Sequence, residues 1–416
     1  MLIKNQKKLK QAFFEKINKL LFLTIIFFLP TQFGKYFFFN FSYLNGLRVD
    51  YLAIKFFLID VLIFFLFVLN FKKVFYFLKH KNFLIFYIFI FINFLISKEK
   101  ILTIFAILKI FEFLIFYFLT KIYYKKINPK IILKIFLLFS GIELFLSIYQ
   151  FYFGRSFGGF FYFLGERLIT ITTPGIAKIS FYNNEFLRPY GTFSHPNSLS
   201  GFFLLLYFFV INEKKFDKFF ILKNLNLLFF NLLIFLSFSK ISIVTFLILN
   251  TIYFLKNKKS NCIICNLLKI FTPIILSLIF LLGKSDILTI DKRWYLIENS
   301  FLIFKNHFFW GIGLNNYLIF QSSFPDKIPL FFNQPVHNIF LLILTEVGIF
   351  GLLSILILIF KYKKILITNY YLLITIILTG LFDHYWLTLN QNFLLASFIY
   401  GSISSSFFIF KLKSKS

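Results

Sequence analysis

Two segments of the sequence place polar residues and a proline directly before a long apolar stretch. They are residues 188–197 (RPYGTFSHPN) and residues 334–338 (QPVHN). Ser194 or Asn197, and likewise Asn338, are predicted to cap the helices that begin there. Because the first turn of a helix leaves N–H groups free and carries the positive end of its dipole, each segment predicts an anion site.

Arginine is rare in this sequence, and its distribution supports an anion site. The five arginines are Arg48, Arg155, Arg167, Arg188 and Arg293. All five fall in segments that we predict to lie outside the membrane, although lysine alone would suffice to set the topology. A guanidinium binds phosphate oxygens in bidentate fashion and stays charged. Arg188 and Arg293, together with two helix N-termini, therefore predict a cationic pocket suited to a lipid-linked diphosphate, whereas ion pairing in the outer loops remains the alternative.

Histidines are also placed mainly near the predicted outer face. His195 and His337 lie within the two segments above, and His384 lies in a short loop near the end of the chain. A histidine titrates near neutral pH and can therefore accept a proton from a hydroxyl group. The alternative for His337 is a helix-capping or interfacial role.

The amino-acid composition indicates that these residues belong to a membrane protein. Of 416 residues, 59% are hydrophobic and only 15% are charged, and 45 Lys+Arg stand against 16 Asp+Glu. The apolar residues fall in long blocks separated by lysine clusters, which is typical of cytoplasmic loops. A soluble globule, a disordered chain and a nucleic-acid-binding surface are therefore excluded.

Windows of about 20 apolar residues predict an all-α polytopic protein with about twelve transmembrane helices. The predicted spans are 20–40, 51–70, 82–97, 101–120, 131–153, 192–211, 219–236, 241–255, 266–283, 338–360, 365–381 and 387–410. With both termini placed in the cytoplasm, the lysine clusters lie inside, as the positive-inside rule requires. We therefore predict a multi-pass protein of the plasma (inner) membrane.

Two predicted outer segments, 154–191 and 284–337, exceed the usual loop length, and such loops are commonly functional. Neither segment has the pattern of a strand or an amphipathic helix throughout. We find no internal repeat and no flexible linker, so residues 1–416 are predicted to form a single integral domain.

The sequence predicts no metal site and no cofactor. The cysteines are Cys262 and Cys265, which is fewer than a zinc site usually needs, and no histidine lies nearby in sequence. The outer aspartates Asp286, Asp291 and Asp326 are scattered. We therefore predict a metal-independent site.

Three motifs in this order resemble the O-antigen ligase and O-antigen polymerase superfamily. They are residues 188–201 (RPYGTFSHPNSLSG), residues 291–317 with Arg293-Trp294 and Gly311-Ile312-Gly313, and residues 337–351 (HNIFLLILTEVGIFG). Residues 382–386 (FDHYW) are similar to a segment in some members. The motif region is thus 188–386.

The resemblance implies a type C glycosyltransferase-like fold and transfer of a glycan from undecaprenyl diphosphate to an acceptor hydroxyl on the extracytoplasmic face. This activity belongs to the assembly of cell-surface polysaccharide, lipopolysaccharide or glycoconjugates in the cell envelope, and the acceptor is a glycan, a lipid or a protein. By motif position, His337 is the catalytic residue that activates the acceptor. The diphosphate-binding residues are Arg188, Arg293 and Lys240, where Lys240 replaces an arginine of many relatives, and the supporting residues are His195, Asn197, Asn338 and His384.

One alternative from another class is a multi-pass transporter or flippase for a lipid-linked glycan or an anionic solute. Its basis is the set of acidic residues within predicted spans, namely Asp60, Glu112 and Glu143, which could couple to an ion. The absence of repeat symmetry and the placement of every arginine outside favour the enzyme. The sequence does not separate a ligase from a polymerase, and it does not identify the sugar, the acceptor or the oligomeric state.

Overall fold

The computed structural model describes residues 2–181, 184–256, 288–323, 333–361 and 369–413. The predicted span 266–283, the pair Cys262 and Cys265, and the aspartates Asp286 and Asp326 lie outside the described residues. The helices are α1 (Leu2–Phe28), α2 (Leu58–Leu69), α3 (Phe71–Leu78), α4 (Leu84–Ile96), α5 (Lys100–Tyr123), α6 (Pro129–Phe153), α7 (Phe160–Phe163), α8 (Pro196–Asn212), α9 (Phe220–Leu236), α10 (Lys240–Lys256), α11 (Leu288–Asn306), α12 (Tyr317–Gln321), α13 (Ile339–Lys361), α14 (Tyr370–Gly380), α15 (Tyr385–Thr388) and α16 (Asn390–Lys413).

Short antiparallel hairpins connect some of these helices. The strands are β1 (Gly34–Phe37), β2 (Tyr43–Leu44), β3 (Leu47–Arg48), β4 (Ile54–Phe57), β5 (Lys178–Phe181) and β6 (Asn184–Leu187). They pair as β1 with β4, β2 with β3 and β5 with β6. The predicted all-α class therefore holds for the helical body, whereas the segment 154–191 contains a hairpin that its sequence pattern did not predict.

By length and composition, four helices of the described part of the chain are long and apolar enough to cross a membrane. They are Lys100–Lys126, Pro129–Phe153, Lys214–Leu236 and Ile339–Phe360. A fifth span is present if α2 and α3, which meet at a bend of 93°, count as one. The prediction of twelve spans remains a prediction.

Two predicted spans differ from the structure at their outer ends. The span predicted over 20–40 is helical only to Phe28, and β1 occupies its second half. The span predicted over 51–70 begins with β4, and its helix starts at Leu58. The physical reason is that aromatic residues suit a strand as well as a helix. A hydropathy window therefore cannot distinguish the two when the partner strand is distant in sequence.

Helix α8 forms the centre of the helical body. Its residues from Pro196 to Val210 are all buried, and it packs against α9, α14, α16 and α10. A helix that is apolar on all sides is stable only inside such a bundle. The start of α8, which carries the motif residues, is therefore held by helices around it.

Helix α13 is broken one third of the way along at Gly348, whose φ of 65° places it in the left-handed region. The segment 308–313 packs against this break, where the N–H groups of Ile349 and Gly313 donate to the carbonyls of Phe308 and Glu346 at 2.9 and 3.0 Å. A Cβ at Gly348 would lie 2.5 Å from backbone atoms of this segment. The Gly311–Gly313 motif therefore holds α13 in place and contributes no side chain to the site.

The loops before α8, α13 and α15 meet at one end of the helical body, together with the hairpin β1–β4. The amide of Gln32 donates to Oγ of Ser194 at 2.8 Å, and the ring of Tyr51 lies 5.4 Å from the ring of His384. We call this region the loop end, and it contains the candidate site.

Candidate functional site

Polar side chains of α6 accept hydrogen bonds from the backbone of the segment that follows β6. Oε1 of Gln150 accepts from the N–H groups of Tyr190 and Gly191, both at 2.8 Å. Glu143 accepts from the N–H of Thr192 at 3.0 Å and from its hydroxyl at 2.5 Å. Glu143 is only 1% exposed. This carboxylate therefore serves as a fixed support for the loop, and the described contacts give it a structural role.

Gly191 is required by the same arrangement. Its φ is +56°, and a Cβ there would lie 2.1 Å from Oε2 of Glu143. A side chain at this position would both strain the backbone and displace the carboxylate. The glycine of the first motif thus permits the close approach of the loop to α6.

The N-terminus of α8 is capped by a residue that the sequence did not predict for this role. Nδ1 of His195 accepts from the N–H of Asn197 at 3.1 Å. The predicted caps are engaged elsewhere, because Ser194 bonds to Gln32 and the side chain of Asn197 bonds to Arg188 and Asp383. The prediction that Ser194 or Asn197 caps this helix is therefore wrong. Pro196 occupies the first turn, where its missing N–H costs little.

The second predicted cap is confirmed. Oδ1 of Asn338 accepts from the N–H groups of Phe340 and Leu341 at 2.9 and 3.1 Å. His337 precedes this cap, so its ring is positioned by the start of α13.

A continuous line of hydrogen bonds connects Arg188 to Asp383, in residues 382–386. Nη2 of Arg188 donates to Oδ1 of Asn197 at 2.7 Å, and its Nε donates to the carbonyl of Ser237 at 3.0 Å. Nδ2 of Asn197 donates in turn to Oδ2 of Asp383 at 2.8 Å. Asn197 therefore joins a cation on one side to a carboxylate on the other.

Asp383 stands between two histidines. Its Oδ1 lies 3.7 Å from Nδ1 of His337 and accepts from the N–H of His384 at 2.8 Å. The rings of His337 and His384 are 5.1 Å apart. Nδ1 of His337 is buried and has no hydrogen-bond partner among the described residues, and the carboxylate of Asp383 is the charged group that faces it. Nε2 of His337 points to Oε1 of Gln334 at 3.3 Å.

The pKa values of Asp383 and His384 are both lowered, but for different reasons. Burial alone would raise the pKa of Asp383, but His337, His384 and His195 outweigh it and hold that pKa well below its ordinary value. Burial lowers the pKa of His384 to about 3 against the opposing charge of Asp383. Asp383 is therefore an anion and His384 is neutral at pH 7.

The structure brings most of the predicted residues together. His195 is near enough to Asp383 and Arg188 for both charges to act on its ring. Arg293, on α11, lies close enough to influence the pKa values of Arg188 and His384. Lys240 is the first residue of α10 and is exposed, three residues after the carbonyl of Ser237 that Arg188 contacts. It is therefore adjacent in sequence to the site.

Asp383 is the site residue that the sequence did not identify. It had appeared only as part of residues 382–386, a segment chosen for its resemblance. The available signal was an aspartate directly before His384 in an otherwise apolar region. An ionisable group at such a position is a functional candidate by default.

The same cluster has the geometry of a possible cation site. Ligand atoms of His337, Asp383 and His384 lie within 4.8 Å of one another. Imidazole and carboxylate are ligands that zinc accepts. The prediction that the site contains no metal is therefore not tested by the geometry, and it requires an experiment.

Comparison with known families supports the resemblance. The family model described as O-antigen ligase matches residues 198–356. The matched range includes Arg293, His337 and Asn338, whereas Arg188 and Asp383 lie outside it. A search of curated proteins finds no match. The family match and the apolar helices together indicate an integral membrane protein.

Proposed function

We propose that the chain is a member of the O-antigen ligase and polymerase superfamily, whose O-antigen ligase model matches residues 198–356, and that it is an extracytoplasmic glycosyltransferase. It moves a glycan from undecaprenyl diphosphate to an acceptor hydroxyl. The observation that carries the proposal is the hydrogen-bonded line from Arg188 through Asn197 to Asp383, which ends 3.7 Å from His337. A cation suited to a diphosphate and a base suited to a hydroxyl thus belong to one connected site.

His337 acts as the general base. Asp383 faces Nδ1 of His337, so a proton on Nδ1 is stabilised. Nε2 accepts a second proton when the acceptor hydroxyl takes the place of the Gln334 amide, which lies 3.3 Å away in this structure. The acceptor oxygen attacks C1 of the donor sugar while its proton passes to Nε2 of His337. The bond from C1 to the diphosphate oxygen breaks, and its electron pair leaves with the lipid diphosphate. Attack from the face opposite the leaving group inverts the anomeric centre.

Arg188 and Arg293 stabilise the leaving group. A diphosphate departs readily only when its developing charge is neutralised, and cations held in advance provide this at no reorganisation cost. The guanidinium of Arg188 is held in advance by Asn197 and the carbonyl of Ser237. The positive end of the α8 helix dipole adds positive potential beside it.

Transfer in liposomes distinguishes this enzyme from the transporter. Purified full-length protein is reconstituted with radiolabelled glycan on undecaprenyl diphosphate and an extract of candidate acceptors. We expect label to move from lipid to acceptor, and protein-free liposomes serve as the control. Labelled lipid that crosses the bilayer without transfer to an acceptor would contradict the proposal and favour the flippase.

Removal of divalent metal is expected to leave the rate of transfer unchanged. The reason is that Asp383 and the two arginines already provide the charges that base activation and leaving-group departure need. The rate is measured before and after incubation of the protein with EDTA, followed by gel filtration. A loss of activity that zinc restores would instead assign His337, Asp383 and His384 to a metal.

A further inference from the structure

The hairpin β1–β4 presents a lysine toward the interior of the loop end. Lys55 pairs with Tyr36 in the register of the two strands, so both lie on the face that also carries Phe57. Phe57 is 6% exposed and belongs to the main hydrophobic core. The opposite face carries Lys35 and Phe56, which are exposed. Lys55 is therefore the inward-facing cation of this hairpin.

No carboxylate of the described residues forms an ion pair with Lys55. Its ammonium lies 5.3 Å from the centre of the Tyr36 ring and 5.6 Å from that of Tyr51. Burial lowers the pKa of Lys55 to about 8, and the charges of Lys109 and Arg167 act in the same direction against Asp50. Lys55 thus remains largely protonated at pH 7, and within the described part of the chain its ammonium lies against the rings of Tyr36 and Tyr51. Such a cation is stabilised when an anion binds it.

Arg167 is a second cation at the same place. Its Nη1 donates to the carbonyl of Ser194 at 3.0 Å, and its charge acts on Lys55 and Tyr51. The neighbouring Glu166 does not neutralise it, because that carboxylate accepts from the N–H groups of Phe157 and Gly158 at 2.8 and 2.7 Å. The charge of Arg167 therefore acts on Lys55, and Asp50, the carboxylate whose charge opposes it there, is paired with Arg48 at 3.2 Å.

Tyr51 places these cations beside the catalytic cluster. The ring of Tyr51 lies 5.4 Å from the ring of His384, and the charge of Asp383 acts on Tyr51. Arg188 is connected to Asp383 independently of Tyr51, through its hydrogen bond to Asn197. His384 and Asp383 are thus shared neighbours of two cationic groups, one containing Arg188 and Arg293 and the other containing Lys55 and Arg167.

We propose that Lys55 and Arg167 form a second anion subsite that binds a phosphate or carboxylate group of the acceptor. The inference rests on the proposed function, in which Arg188 and Arg293 bind the donor diphosphate. The acceptor is accordingly an anionic molecule, either a phosphorylated or lipid-phosphate-linked glycan or an acidic sugar. Its charged group binds at Lys55 and Arg167 while its hydroxyl lies at His337.

Equilibrium binding tests the subsite separately from catalysis. The full-length protein in detergent is titrated calorimetrically with geranyl diphosphate, and we expect two sites. Lys55→Met is expected to weaken one site about tenfold or more and to leave the other unchanged, because it removes one charge at nearly constant volume. Lys55→Arg, which keeps the charge, is expected to retain both. Lys35→Met is the matched control on the outward face of the same hairpin and is expected to change neither site.

Competition identifies the chemistry of the bound group. Displacement from the Lys55-dependent site by methyl glucuronide supports a carboxylate, and displacement by inorganic phosphate alone supports a phosphate. A single site that Arg188→Met abolishes and Lys55→Met leaves intact would overturn the second subsite while supporting the proposed donor site. A Lys55-dependent site without an Arg188-dependent one would support the subsite and contradict the proposed donor site, whereas no binding at all would contradict both.

Discussion

Replacement of His337 with alanine is expected to lower the rate of glycan transfer by about 10²–10⁴-fold, the range that a positioned general base contributes. The expected loss is in kcat, because Arg188 and Arg293 still bind the donor when the imidazole is absent. The measurement is the initial rate of label transfer in liposomes at saturating donor. His337 is 16% exposed in its side chain, so its removal leaves a small gap near the surface and not a large core cavity.

His307→Ala is the matched control for this prediction. His307 is an exposed histidine of the segment before Gly311, and its ring packs against Phe320 at 5.2 Å. We expect its activity to equal that of the wild type. Transfer by His337→Ala at the wild-type rate, in protein that inserts and remains folded, would eliminate His337 as the base.

Replacement of Asp383 with asparagine is expected to reduce kcat by about 10²-fold or more, since the imidazolium formed on His337 loses its counter-charge. An asparagine keeps the size of the side chain and an oxygen that can accept from Asn197. The position of Arg188 and the affinity for donor should therefore change much less than kcat. A purely structural role for Asp383 would instead reduce protein stability and donor affinity together.

The measurement for Asp383→Asn is the comparison of kcat with the dissociation constant for geranyl diphosphate. Asp217→Asn is the control, because Asp217 pairs with Lys223 at 2.7 Å in an exposed segment between α8 and α9. It should leave both quantities unchanged. Equal losses in kcat and affinity for Asp383→Asn would contradict the assigned role.

The sequence by itself determined the features that depend on local composition. Long apolar runs predicted α6, α9 and α10 to within a few residues, because a segment of about 20 apolar residues with internally satisfied backbone is stable as a helix in lipid. Asn338 predicted the start of α13 and Pro196 that of α8 for the same local reason, since a cap or a proline acts on the adjacent turn. The resemblance then predicted His337 and Arg188 as site residues, and the family match over residues 198–356 supports the resemblance itself.

Only the tertiary structure decided which of these residues meet. Asn197 and Asp383 are separated by 186 positions and yet form one hydrogen bond. Lys55 faces inward because its strand pairs with β1, and the sequence analysis had assigned the aromatic residues of β1 to a helix. His195 replaced the predicted cap because Asn197 and Ser194 found partners on other elements. These contacts arise from packing between distant segments, and local sequence patterns carry no information about such partners.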